Sequence, residues 1–174
     1  MKNKFEIRGN VVVIFLKCKG GVMGETIIDI GDLDRVQEFR GNWFGHWSPG
    51  TRSFYARGVT PSGDGKQKTI LLHRWVMDTP AGLQVDHRSH DTLDNTRCNL
   101  TNVTPNVNQQ NRSGSQVNSI SGIRGVYWHK ASKKWLSKIC VDGKCIHIGC
   151  YANVQDAANA AHNARVRLMP GYVY

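Results

Sequence analysis

Two adjacent side chains, Asp86 and His87, are the first place in this sequence where residue types suggest a reaction. A histidine that is neutral at about pH 7 can take a proton from water. A carboxylate can hold a divalent cation that prefers oxygen ligands, and such a cation stabilises the charge that develops when a phosphodiester is hydrolysed. The pair therefore predicts metal-assisted hydrolysis, although an Asp-His dipeptide alone is weak support for it.

Amide side chains follow the pair in a polar stretch that has few apolar residues. Asn108 can add a neutral carbonyl oxygen to the carboxylate of Asp86, which leaves most of an octahedral Mg²⁺ shell to water and phosphate. Asn95 and Asn99 lie between the two predicted ligands. The register of Asp86, His87, Asn99 and Asn108 is a stronger indication than the dipeptide.

The elements that must position these residues begin with a β-rich region over residues 5–72, where short apolar runs alternate with turn sequences such as Gly20-Gly21. Residues 11–16 are too few to cross a membrane and predict a buried strand. Residues 53–59 and 68–72 flank the Gly-rich stretch 62–65 and predict a hairpin that leads into His73.

One helix is expected inside this region. Leu33, Val36 and Phe39 recur every three residues, so they share one helical face. Asp32 precedes them and is a candidate N-cap residue.

The motifs Leu72-His73-Arg74, Val85-Asp86-His87, Asp94-Asn95, Asn99-Leu100 and Asn106-Val107-Asn108 resemble those of HNH (ββα-metal) nucleases, particularly phage and intron-borne homing endonucleases. The resemblance covers residues 71–112. It implies that His87 is the general base and that Asp86 and Asn108 are the metal ligands. It also implies that Asn99 pins the loop between two strands and orients the base, and that Asn95 helps to fold that loop.

Many of these nucleases have a second histidine where this chain has Asn108. The resemblance therefore implies oxygen ligands only, which favours Mg²⁺ or Mn²⁺ and gives no expectation of structural zinc. DNA contacts are expected from Arg74 and Arg112. His73 has two interpretations, a DNA contact near the scissile phosphate or the cap of a helix that begins at Arg74.

The C-terminal part has a different pattern. Residues 105–121 are rich in Asn, Gln, Ser and Gly and predict a short helix end followed by a linker at 113–121. Three strands are expected at 125–128, 134–140 and 145–149, with Asp142-Gly143 as the turn between the last two. An Ala-rich helix is expected over 153–168, ended by Pro170-Gly171.

The stretches 122–128, 134–135, 148–151 and 156–158 resemble the APETALA2-type DNA-binding domain over residues 121–171. In that family the sheet lies in the major groove, and a β-ribbon fits that groove. By this resemblance the side chains that face DNA are Arg124, Tyr127, His129, Lys138 and His147. Few of them are arginines, so the module is expected to supply affinity more than sequence specificity.

Charge and cysteine content fit this interpretation. Lys and Arg total 23 against 13 Asp and Glu, a formal net charge of +10 that favours a polyanionic partner. The cysteines number 5 and form no C-x-x-C pair, which predicts reduced thiols and a cytoplasmic protein. No membrane association is expected, and both a monomer and a homodimer remain open.

The sequence as a whole predicts an α+β chain. Its expected parts are a β-rich N-terminal region (1–70), an HNH core (71–112), the linker (113–121) and a DNA-binding module (122–174) in which a three-stranded antiparallel sheet packs on one helix. The expected function is metal-dependent cleavage of double-stranded DNA, as a nick or a double-strand break. A DNA-binding regulator whose HNH core no longer cleaves is the competing interpretation. RNA as the partner is less favoured, because A-form major grooves exclude a β-sheet reader.

Overall fold

Strands and helices both occur in the computed structural model, and strands predominate. The structure describes residues 1–18, 21, 23–61, 66–112, 114–115 and 118–172. The expected turn at 62–65, Gly20 of an earlier turn, and Ser113, Gln116 and Val117 of the expected linker lie outside the described residues. Within the described chain, no helix is long and apolar enough to span a membrane.

The chain forms two compact units, Met1–Thr104 and Pro105–Tyr174. The N-terminal region and most of the expected HNH core therefore lie in one unit, and the division falls at Thr104 instead of near residue 112. The N-terminal region and the expected HNH core share one unit because residues 71–104 have too few apolar side chains to form a core of their own.

The first unit is built on a six-stranded sheet in the order β1-β2-β4-β5-β6, with β3 paired to β2. Its strands are β1 (Phe5–Arg8), β2 (Val11–Cys18), β3 (Met23–Asp29), β4 (Phe44–Ser48), β5 (Ser53–Pro61) and β6 (Gln67–Leu71). Neighbours are antiparallel except for the short β2–β4 pairing. The buried strand predicted at 11–16 and the hairpin that leads into His73 are both confirmed.

The unit also contains a 3₁₀ helix (Ile30–Asp32), the α-helices α1 (Leu33–Gln37) and α2 (Leu72–Met77), and a separate two-stranded antiparallel sheet of β7 (Gln84–His87) and β8 (Leu100–Val103). The helix predicted after Asp32 is confirmed, but that residue does not cap it through its side chain in the described structure. Instead its carboxylate accepts hydrogen bonds from Arg97, the shortest at 2.6 Å.

One apolar core serves the whole first unit. Val12, Ile14 and Leu16 of β2 pack in a cluster with Leu72 of α2 and Leu100 of β8. Further members are Ile28, Val36, Phe39, Trp43, Ala56, Val76 and Val85. The large N-terminal sheet thus supplies most of the apolar surface on which α2, β7 and β8 are packed.

The second unit contains α3 (Pro105–Gln110), β9 (Val126–His129), β10 (Lys134–Val141), β11 (Lys144–Tyr151) and α4 (Val154–Leu168). The strands form an antiparallel sheet in the order β11-β10-β9, as predicted. Asp142 and Gly143 have positive φ angles of 50° and 76°, which suits a tight hairpin turn. The predicted Ala-rich helix is confirmed, and its N-cap Asn153 accepts a hydrogen bond from the amide of Gln155 at 2.8 Å.

Two cysteines depart from the sequence prediction. Cys140 and Cys145 lie directly opposite each other in the β10–β11 pairing and are joined by a disulfide. The prediction of reduced thiols is therefore wrong for this pair. A search for close C-x-x-C spacing misses it, because hairpin register brings the two residues together.

Candidate active site and nucleic-acid interface

His87 is the last residue of β7 and its side chain is 6% exposed. Burial alternates along this strand: Gln84 is exposed, Val85 is buried, Asp86 is half-buried and His87 is buried. Because successive side chains of a strand point to opposite faces, Asp86 and His87 lie on opposite sides of β7. The two groups therefore flank the end of the strand.

Aromatic rings surround the histidine inside the first unit. The His73 ring meets it edge to face with centroids 5.0 Å apart, and the Tyr55 ring centroid lies 6.2 Å away. Burial lowers the pKa of His87, while its hydrogen bond to Asn95 and the nearby carboxylates of Asp86, Asp91 and Asp94 act in the opposite direction. A lowered pKa keeps the imidazole neutral at about pH 7, the form that a general base needs.

Asn95 determines which nitrogen of that ring carries the proton. Its Oδ1 lies 3.4 Å from His87 Nε2, and its Nδ2 donates to Thr26 Oγ1 at 2.7 Å and to the Leu93 carbonyl at 3.3 Å. Because Nδ2 donates to both of these acceptors, and at the shorter distance to Thr26, the amide oxygen faces the histidine. Nε2 is then the protonated nitrogen of the neutral ring, and Nδ1 is its proton acceptor.

Asn99 holds the loop between β7 and β8 together. Its Oδ1 accepts from the amide of Ser89 at 2.8 Å, and its Nδ2 donates to the carbonyls of Asp94 and Asp91 at 2.8 and 3.3 Å. The side chain is 5% exposed. The structure thus places Asn99 across the loop, whereas the direct hydrogen-bond partner of His87 is Asn95, whose Oδ1 accepts from Nε2.

The N-terminal region anchors the same loop from outside. Arg97 donates to the buried Asp32 and, through its backbone amide, to Asp29 at 2.7 Å. Ile27 of β3 forms a parallel bridge with Asp94. Sequence reasoning missed these contacts because the partners are more than 60 residues apart, and no local pattern marks them.

Asp86 remains the candidate metal ligand of the first unit. Its carboxylate is half-buried, not sealed in the core, and carboxylate oxygen is a preferred donor for Mg²⁺. Among the described residues, no group of three or more His, Cys, Asp or Glu side chains could hold a metal ion. The expected ligand set is smaller than such a group, because it uses one carboxylate and the amide oxygen of Asn108, which lies on α3 of the second unit.

His73 and Arg74 lie in α2, in places that differ from the expectations. The helix begins at Leu72, so the idea that His73 caps a helix starting at Arg74 is wrong. His73 is 6% exposed and packs on His87, which leaves little of its ring for a DNA phosphate. Arg74 donates to the backbone carbonyl of Leu83 at 2.8 Å, so it closes the segment between α2 and β7.

The burial of His73 predicts acid sensitivity. Burial, followed by the charges of His87 and Arg74, lowers its pKa from 6.5 to about 3. The unfolded chain binds this proton below pH 6.5, but the fold does not, so stability is complete above that pH and is lost as the pH falls toward about 3. We expect a loss of about 1.4 kcal/mol of unfolding free energy per pH unit from this residue.

Urea unfolding at a series of pH values measures this slope. His73→Phe should reduce it by about that amount, while His87, whose pKa is also lowered, still contributes. A slope unchanged by His73→Phe would contradict the assignment.

In the second unit, four of the expected DNA-facing residues share one face of the sheet. In β10, Lys134 and Leu136 lie on the opposite face from Trp135, which packs toward α4. Lys134 pairs with His129 of β9, and Leu136 pairs with Tyr127. Lys138 continues this face and pairs with His147. Tyr127 is 51% exposed. The same alternation places Cys140 on the face of Lys138.

Arg124 has a different environment from these four. Its guanidinium donates to the carbonyls of Gln109, Gln110 and Arg112 at 2.6 to 3.0 Å. The last carbonyls of a helix have no partners within the helix and carry partial negative charge. Arg124 therefore caps the C-terminal end of α3, while the Arg112 side chain is exposed.

Substitutions should separate the helix-capping role of Arg124 from the DNA-binding role expected of Lys138. Arg124→Ala should destabilise the second unit by about 1 to 3 kcal/mol, because three carbonyls lose a charged donor. Lys138→Ala should leave stability nearly unchanged and weaken DNA binding, with a shallower dependence on salt. Thermal unfolding together with DNA titration at several salt concentrations tests both. If the two variants lost the same stability and the same DNA affinity, these separate roles for Arg124 and Lys138 would be contradicted.

No protein-family model matches the chain, and it matches no curated protein and no solved structure.

Proposed function

We propose that this protein is a metal-dependent DNA endonuclease that hydrolyses phosphodiester bonds in double-stranded DNA. The observation that carries the proposal is the neutral, oriented His87. Its Nε2 is held by Asn95, which leaves Nδ1 as a proton acceptor at the end of β7, and the carboxylate-bearing Asp86 precedes it in the strand.

In this proposal each side chain has one task. His87 removes a proton from the attacking water at Nδ1. Asn95 orients the ring, and Asn99 keeps the loop folded around it. Asp86 would hold Mg²⁺ or Mn²⁺, and the bound ion would supply the positive charge that stabilises the phosphate and the leaving 3′-oxygen. The product then carries a 5′-phosphate.

DNA binding is proposed to come mainly from the second unit. The outer face of its sheet presents Tyr127, His129, Lys138 and His147 on one side of β9–β11. A β-sheet can enter the major groove, and lysines contact phosphates. The net charge of +10 favours the same partner. One active site per chain makes nicking the natural activity of a monomer.

A supercoiled plasmid tests the proposal. Incubation with the protein and Mg²⁺ should convert it to nicked or linear DNA, and a chelator should prevent this. Asp86→Ala should abolish the conversion, whereas Asp34→Ala, which removes an exposed carboxylate from α1, should not. Absence of any product over a range of DNA sequences would contradict the proposal.

A DNA-binding regulator without cleavage activity is the second candidate. The burial of His87, only 6% exposed, favours it because a base must be reached by water. The outer sheet face would serve such a regulator equally well. The two candidates differ in the plasmid experiment, since a regulator retards the DNA in a gel without nicking it.

A further inference from the structure

We infer that Thr26, on strand β3 of the N-terminal sheet, is a positioning residue for His87 and acts on it through Asn95. The inference rests on the proposed function, because it assigns a role in orienting the proposed base. Thr26 lies 69 residues before Asn95 in the chain, and both side chains are 1% exposed.

The hydroxyl of Thr26 has its donor and its acceptor roles fixed by its neighbours. It donates its single proton to the carbonyl of Leu93 at 2.6 Å. Because its only proton is engaged in this bond, the hydroxyl can only accept from Asn95 Nδ2, which lies 2.7 Å away. Asn95 must therefore present its amide nitrogen, and not its amide oxygen, to Thr26.

This requirement fixes the orientation of the whole Asn95 side chain. A flipped amide would place Oδ1 against the Leu93 carbonyl and against a hydroxyl whose proton is already used. It would also turn two donor hydrogens toward Nε2 of His87. Buried polar groups without partners are costly, and neither side chain is exposed enough for water to replace the lost bonds. The bond from Asn95 Nδ2 to Thr26 at 2.7 Å is shorter than its bond to the Leu93 carbonyl at 3.3 Å, so Thr26 contributes most to keeping Oδ1 directed at the histidine.

Docking of the loop on β3 does not depend on this hydroxyl. The amide of Asn95 donates to the Ile27 carbonyl at 2.8 Å, and the amide of Ile27 donates to the Leu93 carbonyl at 3.0 Å. These backbone bonds hold the loop against the strand by themselves. Removing the hydroxyl should therefore alter the orientation of Asn95 while the loop stays attached.

Thr26→Val makes this change with almost no change in shape. We expect the rate of plasmid nicking under single-turnover conditions to fall by about tenfold to a hundredfold, as misorientation of a reacting group does. The Kd for DNA should stay close to wild type, whereas the midpoint of urea unfolding should fall because the buried Asn95 Nδ2 loses a hydrogen-bond partner. Thr26→Ser, which keeps the hydroxyl, should restore most of the rate. Thr60→Val on β5 is the matched control, because its half-exposed hydroxyl bonds only weakly to the Lys68 carbonyl at 3.4 Å.

A second measurement does not need cleavage activity. The ¹⁵N chemical shifts of the His87 ring distinguish its two neutral tautomers, and wild type should have the proton on Nε2. Thr26→Val should give a mixture of tautomers, and Thr26→Ser should not. If wild type fails to cut DNA, the proposed function fails, and this measurement still decides the role of Thr26.

Two results would overturn the inference. One is an unchanged tautomer and, in an active protein, an unchanged rate in Thr26→Val. The other is a parallel loss of stability, DNA affinity and rate that Thr26→Ser does not repair, which would make Thr26 a structural residue only.

Discussion

His87→Ala is expected to abolish DNA cleavage while DNA binding stays nearly intact. General-base catalysis by a positioned side chain contributes about 10²- to 10⁴-fold, so we expect a rate loss of at least about 10³-fold. Binding should persist because the outer face of the β9–β11 sheet lies in the second unit, away from the substituted strand in sequence. Single-turnover nicking and a gel-shift titration measure the two quantities on the same DNA.

Folding must be controlled in this experiment because the ring is buried. Removing it leaves a space beside His73 and Tyr55, so His87→Ala should also lose stability. His87→Gln fills more of that space and should be equally inactive. His46→Ala, which removes an exposed histidine from β4, should cleave normally. Equal losses of binding and cleavage in His87→Ala would contradict a purely chemical role.

Asn99→Ala is expected to have the second largest effect. The substitution leaves the amide of Ser89 and the carbonyls of Asp91 and Asp94 without their side-chain partner. Each unsatisfied buried group costs about 1 to 3 kcal/mol, and water can relieve part of this at a loop. We expect a loss of about 2 to 4 kcal/mol of unfolding free energy and at least about a hundredfold loss of cleavage.

Two comparisons sharpen the test of Asn99. Asn99→Asp keeps an acceptor for Ser89 but presents negative charge to two carbonyls, so it should not restore function. Asn102→Ala is the matched control, because the buried Oδ1 of Asn102 has no hydrogen-bond partner among the described residues. Urea unfolding and the nicking rate report both effects. A folded, fully active Asn99→Ala would show that the loop does not need this side chain.

Local patterns in the sequence predicted much of the fold. A short apolar run placed β2, three-residue periodicity placed α1, alanine content placed α4, and turn residues placed the β5–β6 and β10–β11 hairpins. These signals depend on neighbours in the chain, so they survive in a single sequence. The α3 helix after Thr104 was also expected, but its membership in the second unit was not. Within that unit, the Arg124 guanidinium donates to the carbonyls at the end of this helix, a contact that no local pattern marks.

The candidate site was predicted in its residue identities more than in its contacts. His87 and Asn99 were singled out by type and spacing, and the structure brings them to one loop. The partners of that loop were not foreseen, because Thr26, Asp29 and Asp32 reach it across a long sequence separation. The buried position of His73 was not predicted, for a similar reason. A histidine at a helix start suggests a cap or a surface contact, and only tertiary packing places it against His87.

The N-terminal sheet consequently has a more specific role than a β-rich appendage. It contributes Val12, Ile14, Leu16, Ile28 and Ala56 to the shared core and holds the loop that carries Asn95 and Asn99. Deleting the N-terminal sheet to isolate an HNH core would remove both its core residues and the strand that holds this loop. Experiments on the proposed activity therefore need the full chain.

Mapping of cleaved ends tests the central claim most directly. Full-length protein with Mg²⁺ is incubated with a random-sequence DNA library, and new 5′ ends are sequenced for wild type and for His87→Ala. The account predicts ends with 5′-phosphates that appear with wild type, disappear with chelator and are absent with His87→Ala. Ends that are no more frequent with wild type than with His87→Ala would contradict it.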